Sequence, residues 1–80
     1  MPLRYTLRQL EYFVAVGECG SIAAASDRVN VSSPSISAAV AQLEEEFGLA
    51  LFVRKHAQGL SLTTAGQRLM EQSQKVLREA

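Results

Sequence analysis

The sequence predicts a mainly α fold, a winged helix-turn-helix with a three-helix core, a two-stranded β wing and a long C-terminal helix. Apolar residues recur at helical spacing in four segments of the 80-residue chain. The sequence Asn-Val-Ser-Ser-Pro separates the second and third of these segments, which is typical of a tight turn between two helices. A polar run flanked by apolar residues separates the third segment from the last and predicts a hairpin.

The first helix is predicted from Leu7 to about Gly17. Thr6 followed by Gln9 is a capping-box pattern, in which each side chain satisfies a backbone N–H group of the other residue. The apolar stripe of this helix consists of Leu7, Leu10, Phe13 and Val14. An exposed surface charge is the favoured interpretation of Arg8.

The predicted helix-turn-helix spans residues 22–41. Ser21 can cap its first helix, whose buried face is formed by Ile22, Ala25 and Val29. Asn30 is predicted to form the turn, because Asn is one of the few residues that tolerates the left-handed backbone conformation. Cys19 is expected in the preceding corner, and a structural role is favoured over a redox role because its neighbours supply no cation.

The second helix of the motif begins at a cap formed by Ser32 or Ser33. Pro34 falls in its first turn, where a missing N–H group costs nothing. A stripe of Ile36, Val40, Leu43 and Phe47 faces the core, and Gly48 ends the helix.

The opposite face of this helix is predicted to be exposed and consists of Pro34, Ala38, Ala41 and Glu45, flanked by Ser37 and Gln42. In a helix-turn-helix the N-terminal part of the second helix enters the major groove of DNA. The residues nearest the base edges would then be Ser33, Pro34, Ser37 and Ala38. Ser hydroxyls can donate or accept there, and Ala methyls can contact thymine methyls. The alternative is an ordinary solvent-exposed face rich in Ser and Ala.

The wing is predicted over residues 50–62, with apolar runs on either side of residues 55–58. Arg54 and Lys55 are its candidate DNA contacts, because cations on a loop can reach a phosphate or the minor groove. A solvated cluster of charges is the alternative interpretation, since a hairpin tip is exposed whatever it binds.

The final helix is predicted over residues 63–80, capped by Thr63 or Thr64. Its apolar stripe consists of Ala65, Leu69, Ser73, Val76 and Ala80, widened by Met70 and Leu77. A domain this small can cover only the base of such a helix, so a second copy of the chain is expected to pack on the rest. The predicted dimer contacts are Leu69, Ser73, Val76, Leu77 and Ala80, and packing within one subunit is the alternative.

The charge balance argues against nucleic acid, because eight Lys and Arg residues equal eight Asp and Glu residues. The charges are nevertheless segregated, with acids at residues 44–46 and bases at residues 54–56. We expect the three acids to be solvated at the surface of a helix end. The single Cys and single His offer neither a disulfide nor a metal site, so we expect no cofactor. No set of residues suits catalysis, and no apolar run suits a membrane span, so we expect a cytoplasmic protein that is not an enzyme.

The chain resembles the N-terminal domain of LysR-type transcriptional regulators. The resemblance rests on the segments Leu7–Val16, Gly20–Ile22, Val31–Ser37, Leu43–Gly48, Leu51–Arg54 and Leu62–Gly66. It implies a bacterial, sequence-specific DNA-binding domain over residues 5–62 that binds an interrupted palindrome as a homodimer through a linker helix over residues 63–80. The expected contacts to double-stranded DNA are Ser21, Ser32, Ser33, Pro34, Ser37, Ala38, Arg54 and Lys55. The resemblance also implies a contact with the DNA backbone as the alternative interpretation of Arg8.

Such regulators continue into an effector-binding domain that this chain lacks, and the longer protein can form a tetramer. A small-molecule effector would act only through that missing domain. Many members carry Gln at the position of Ser33 and Arg-Gln at the positions of Ala38 and Ala39, so two common DNA contacts are absent here. The competing hypothesis is therefore a protein-interaction winged helix with little affinity for DNA, whose retention on heparin and on duplex DNA would be absent or insensitive to salt.

Overall fold

The computed structural model of the protein describes residues 6–54 and 59–79. Within these residues, four helices and a two-stranded antiparallel sheet confirm the predicted mainly α fold. In chain order these elements are α1 (Leu7–Cys19), α2 (Ile22–Val29), α3 (Ser33–Phe47), β1 (Phe52–Arg54), β2 (Leu60–Leu62) and α4 (Thr64–Glu79).

Helix α1 begins with the predicted capping box. The Thr6 hydroxyl accepts a hydrogen bond from the Gln9 amide at 3.1 Å, and the Thr6 amide donates to Gln9 Oε1 at 2.9 Å. The helix ends at Cys19 and is capped by Gly20 at φ 80°, so the predicted end at Gly17 and the predicted corner position of Cys19 are both wrong. A Cβ atom on Gly17 would lie 2.0 Å from Met70 Cε, so this glycine permits a close helix contact instead of ending the helix.

Helix α1 is the scaffold of the domain because it contributes to both hydrophobic clusters. The first cluster joins α1 to the end of α3, to the wing base and to α4, and its buried members are Leu10, Phe13, Val14, Leu43, Leu51 and Met70. The second joins α1 to the helix-turn-helix through Ala15, Val16, Ala25, Ile36 and Val40. The Phe13 and Phe52 rings lie 5.4 Å apart between centroids, which attaches β1 to the scaffold.

The turn between α2 and α3 has the predicted left-handed residue, Asn30, at φ 58° and ψ 46°. Ser26 holds this turn closed, because its hydroxyl donates to the Val31 carbonyl at 2.5 Å and its carbonyl accepts from the Val31 amide at 3.3 Å. Both bonds span five residues, so they fix where α3 begins relative to α2.

Helix α3 buries most of the predicted stripe. Ile36, Val40 and Leu43 are buried, whereas Phe47 is 37% exposed. The prediction that the stripe faces the core is therefore right for the first three residues and wrong for Phe47, the last residue of α3. Gly48 ends the helix at φ 66°, as predicted.

The wing is shorter than the apolar runs suggested, since its strands have three residues each and pair from Phe52 with Leu62 to Arg54 with Leu60. Thr63 is the cap of α4, because its hydroxyl accepts from the Gly66 amide at 2.9 Å. The same hydroxyl donates to the Ala50 carbonyl at 2.7 Å, so this residue joins α4 to the wing base.

Candidate nucleic-acid interface

The exposed side of α3 is the candidate interface, and we call its residues Pro34, Ser37, Ala38 and Ala41 the reading face. All four are exposed, whereas Ile36, Ala39 and Val40 on the opposite side are buried. The helical period therefore separates small polar and methyl-bearing side chains from the core side chains, as predicted. Short side chains let the backbone of α3 approach a partner closely.

The N-terminus of α3 is capped by Ser32, one of the two serines that the sequence offered. Its hydroxyl accepts from the Ser35 amide at 3.4 Å and donates to the Ser35 hydroxyl at 2.8 Å. Ser33 is the first helical residue and is half-buried. The Ser32 hydroxyl is thus engaged in ordering the first turn of the helix, which carries the reading face.

Ser21 has the corresponding role in α2, where its hydroxyl accepts from the Ala24 amide at 3.1 Å. The preceding carbonyl, of Gly20, accepts a hydrogen bond from the Leu60 amide at 2.9 Å. This bond joins the corner between α1 and α2 to the second strand of the wing. The structure thus brings Ser21 and the wing, which are far apart in sequence, to the same part of the molecule.

Arg54 ends β1 and is exposed. Its guanidinium group has no hydrogen bond or ion pair with any residue that the structure describes, so it is available to an external anion. Lys55, the other predicted wing contact, lies outside the described residues. Val53, beside Arg54, is 49% exposed.

Glu44 is a site residue that sequence reasoning missed. We expected all three acids at 44–46 to be solvated, and this was wrong for Glu44, which is half-buried. Its Oε2 atom accepts from the Leu51 amide at 2.8 Å and from the Phe52 amide at 3.4 Å. The available signal was its position directly after Leu43, at the edge of the buried stripe of α3.

A second polar contact also escaped the sequence analysis. The side-chain amide of Gln9 donates to the Gln42 side-chain carbonyl, which joins the start of α1 to the edge of the reading face. No periodicity marks this pair in the sequence, because it depends on the angle at which two helices cross. Arg8, one residue before Gln9, is exposed.

Behind the interface, Glu18 connects three helices. Its carboxylate forms an ion pair with Arg28 of α2 and accepts a hydrogen bond from the Gln74 side chain of α4 at 2.9 Å. The hydrogen bond from Arg28, followed by that from Gln74, holds the pKa of Glu18 below its ordinary value. The same bond raises the pKa of Arg28. The positive charge of Arg28 is therefore partly neutralised, in contrast to that of Arg54.

Helix α4 carries the predicted dimer contacts, and these residues differ in how exposed they are. Val76 is 43% exposed, and Leu69 and Leu77 are partly buried against the first cluster. Ser73 is 1% exposed and lies inside the chain's own core, so the expectation that it faces a partner needs correction. Ala80 lies outside the described residues.

The described residues contain no group of three or more His, Cys, Asp or Glu side chains that could hold a metal ion. Within residues 6–54 and 59–79, no helix is long and apolar enough to cross a membrane.

Three comparisons place this geometry among known proteins. Residues 7–67 match the family model described as bacterial regulatory helix-turn-helix protein, lysR family. The HTH-type transcriptional regulator TcbR of Pseudomonas sp. (strain P51) is 43% identical over 70 residues, which are 88% of this chain and 24% of TcbR. The chain thus spans about a quarter of the length of the curated relatives that it matches.

Solved structures agree with this result. A crystal structure of a CbnR_DBD–DNA complex superposes with a TM-score of 0.85 at 41% identity and covers 91% of this chain and 83% of that one. A crystal structure of a complex of BenM_DBD with catB site 1 DNA gives a TM-score of 0.86 at 34% identity and covers 92% and 81% of the two chains.

Proposed function

The chain belongs to the lysR family of bacterial regulatory helix-turn-helix proteins, and on this premise we propose that it inserts α3 into the major groove of duplex DNA. The observation that carries the proposal is the exposure of the reading face on a helix whose other side is buried. The helix of a helix-turn-helix that follows the turn reads bases with its N-terminal residues. Two of the similar structures, of CbnR_DBD and BenM_DBD, are DNA complexes.

The proposed base contacts are Pro34, Ser37 and Ala38, with Ser33 beside them. A Ser hydroxyl can donate to or accept from a base edge, and an Ala methyl can pack on a thymine methyl. Ser21 and Ser32 have hydroxyls engaged in capping. Their proposed contribution is to hold the exposed ends of α2 and α3 against phosphates.

The proposed phosphate contacts come from the wing, with Arg54 and Lys55. Arg54 suits this role because it is exposed and its charge has no partner among the described residues. The zero net charge of the chain makes an unpaired cation such as Arg54 decisive, because salt-dependent affinity for DNA arises from Lys and Arg on phosphates. Binding through so few cations predicts a shallow salt dependence for one subunit.

We further propose that two copies pair through α4, using Leu69, Val76, Leu77 and Ala80. The exposed Val76 side chain supports this assignment, since an apolar residue far along α4 has little core to contact within one chain. A symmetric dimer would present two α3 helices to successive major grooves on an interrupted palindrome. Ser73 is left out of this surface because it is buried within the monomer.

The whole regulator is proposed to be longer than this chain and to act on chromosomal DNA in the bacterial cytoplasm. An effector-binding domain beyond α4 would supply any response to a small molecule, and a homodimer or tetramer would be the working form. No enzymatic activity is proposed for the helix-turn-helix domain.

Duplex binding at several salt concentrations tests the function. We expect the apparent affinity for a fluorescent duplex to fall with salt, and Arg54→Ala to weaken binding to every sequence and to reduce the salt slope by about one. Lys75→Ala is the matched control, because it also removes one exposed cation, but on α4 and outside the proposed contacts with DNA. Binding that is absent or insensitive to salt would refute the proposal.

Base selection tests the reading face separately. Ser37→Ala and Ala38→Arg should change the preference at one half-site position by about 1–3 kcal/mol, because each alters a side chain placed at a base edge. Selection from randomised duplexes measures this preference. If both variants select the same sequences as the wild type, α3 does not read bases through this face.

A further inference from the structure

We propose that Glu44 is a positioning residue for DNA binding, which sets the wing relative to the reading face. The inference rests on the proposed function, because it concerns how Arg54 is presented to DNA. Glu44 itself faces the wing base, where its carboxylate accepts two backbone hydrogen bonds, and it is not assigned a contact with DNA.

The geometry places the Glu44 carboxylate at the start of the wing. Its Oε2 atom accepts from the Leu51 amide at 2.8 Å and from the Phe52 amide at 3.4 Å, and Phe52 is the first residue of β1. Arg54 follows two residues later, which corresponds to about 7 Å along an extended strand. A tilt at the held amides would therefore displace the guanidinium group of Arg54.

The same segment is held on its other side by the start of α4. The Leu51 carbonyl accepts from the Thr63 amide at 3.0 Å, and the Thr63 hydroxyl donates to the Ala50 carbonyl at 2.7 Å. These bonds orient the wing base relative to α4 but not relative to α3. Among the described residues, Glu44 makes the side-chain hydrogen bonds that join α3 to β1.

The neighbouring acid Glu46 provides the contrast. It is exposed, and its carboxylate makes no hydrogen bond to any described residue. An exposed carboxylate beside a phosphate backbone repels DNA, so loss of its charge alone should not weaken binding. Loss of Glu44 removes an equal charge but also the link between the reading helix and the wing. The two substitutions therefore separate charge from position.

The experiment compares Glu44→Ala with Glu46→Ala in the 80-residue chain. The probe is a duplex selected from a randomised pool by the wild-type chain. We expect Glu44→Ala to weaken binding about three- to tenfold relative to Glu46→Ala, measured at a temperature where circular dichroism shows both variants to be folded. Glu44→Gln, which keeps an oxygen acceptor, should recover part of this loss.

A double-mutant cycle with Arg54→Ala then tests the mechanism. If Glu44 acts by positioning Arg54, the double variant should bind no more weakly than Arg54→Ala alone, because the contact is already lost. A role limited to stability would not produce this coupling. If Glu44→Ala does not fold, the same cycle is run with Glu44→Gln.

Three results would overturn the inference. Folded Glu44→Ala could bind as well as Glu46→Ala, or the losses from Glu44 and Arg54 could multiply in the double variant. In the cycle run with Glu44→Gln, the absence of any coupling to Arg54 would also overturn the inference. In each of these three cases the proposed function would still stand if the wild type binds DNA in a salt-dependent way and Arg54→Ala weakens that binding. A wild-type chain that does not bind duplex DNA would contradict both proposals.

Discussion

Replacement of Gly66 by Ala tests the closest contact between α4 and the wing base. A Cβ atom on this residue would lie 2.1 Å from the Leu51 carbonyl oxygen and 3.0 Å from the Leu51 carbonyl carbon. The obstacle is backbone and cannot rotate away like a side chain. The Leu51 carbonyl also accepts from the Thr63 amide, and the Leu51 side chain is 1% exposed, so any displacement disturbs both the hydrogen bond and the core.

The expected magnitude follows from three contributions. Overpacking of a well-packed site costs about 1–3 kcal/mol. Loss or weakening of the bond between Thr63 and Leu51 costs about 1 kcal/mol more. The greater helix propensity of Ala offsets about 1 kcal/mol. We therefore expect Gly66→Ala to lower the free energy of unfolding by about 2 kcal/mol, which corresponds to a fall in Tm of about 8–16 °C in a domain of this size.

Urea denaturation followed by circular dichroism measures this change. Gly17→Ala is the matched control, because its Cβ would meet the flexible end of Met70, with Cε at 2.0 Å, and no backbone atom. Met70 can adopt another rotamer, so we expect a loss of less than about 1 kcal/mol. The reasoning is refuted if Gly66→Ala is as stable as the wild type, or if Gly17→Ala is the more damaging substitution.

Two further predictions concern the turn and the network behind it. Asn30 has φ 58°, so Asn30→Ala should lower the free energy of unfolding by about 1–2 kcal/mol, whereas Asn30→Gly should be nearly neutral; equal urea midpoints for the two variants would contradict this. The pKa of Glu18 is lowered from 4.5 by its hydrogen bonds with Arg28 and Gln74, so its contribution to stability is present above pH 4.5 and lost as the pH falls through the folded-state pKa. Between pH 7 and pH 3 at low salt, the Glu18→Gln variant should therefore lose less stability than the wild type. If the urea midpoints of the two proteins fall equally over this range, the Glu18 carboxylate does not contribute to the loss of stability in acid.

The functional consequence of the structure is a division of roles among its polar residues. Ser21 and Ser32 order the starts of two helices, and Ser26 closes the turn between them. Glu44 fixes the wing base, and Arg54 remains unpaired among the described residues. A neutral domain can bind DNA in this arrangement because these three serines and Glu44 organise the interface, while the exposed Arg54 is available to contact DNA.

The amino-acid sequence by itself determined the starts of α1 and α2, the turn at Asn30 and the face of α3 that is exposed, but not where α1 ends. The caps at Thr6, Ser21 and Ser32 and the left-handed turn at Asn30 depend on groups within about five residues along the chain, which the sequence displays directly. The reading face follows from the helical period for the same reason. The fold class followed from the order of these local features.

Only the tertiary structure decided which residues bond to or pack against segments that are remote in sequence. Glu44 bonds amides seven and eight residues further on, Gly17 and Gly66 permit close packing, and Ser73 lies in the core. In the sequence these residues look like a solvated acid, a helix end, an ordinary helical glycine and a surface serine. Their roles depend on how closely remote segments approach, which is set by packing around α1 and not by the preferences of neighbouring residues.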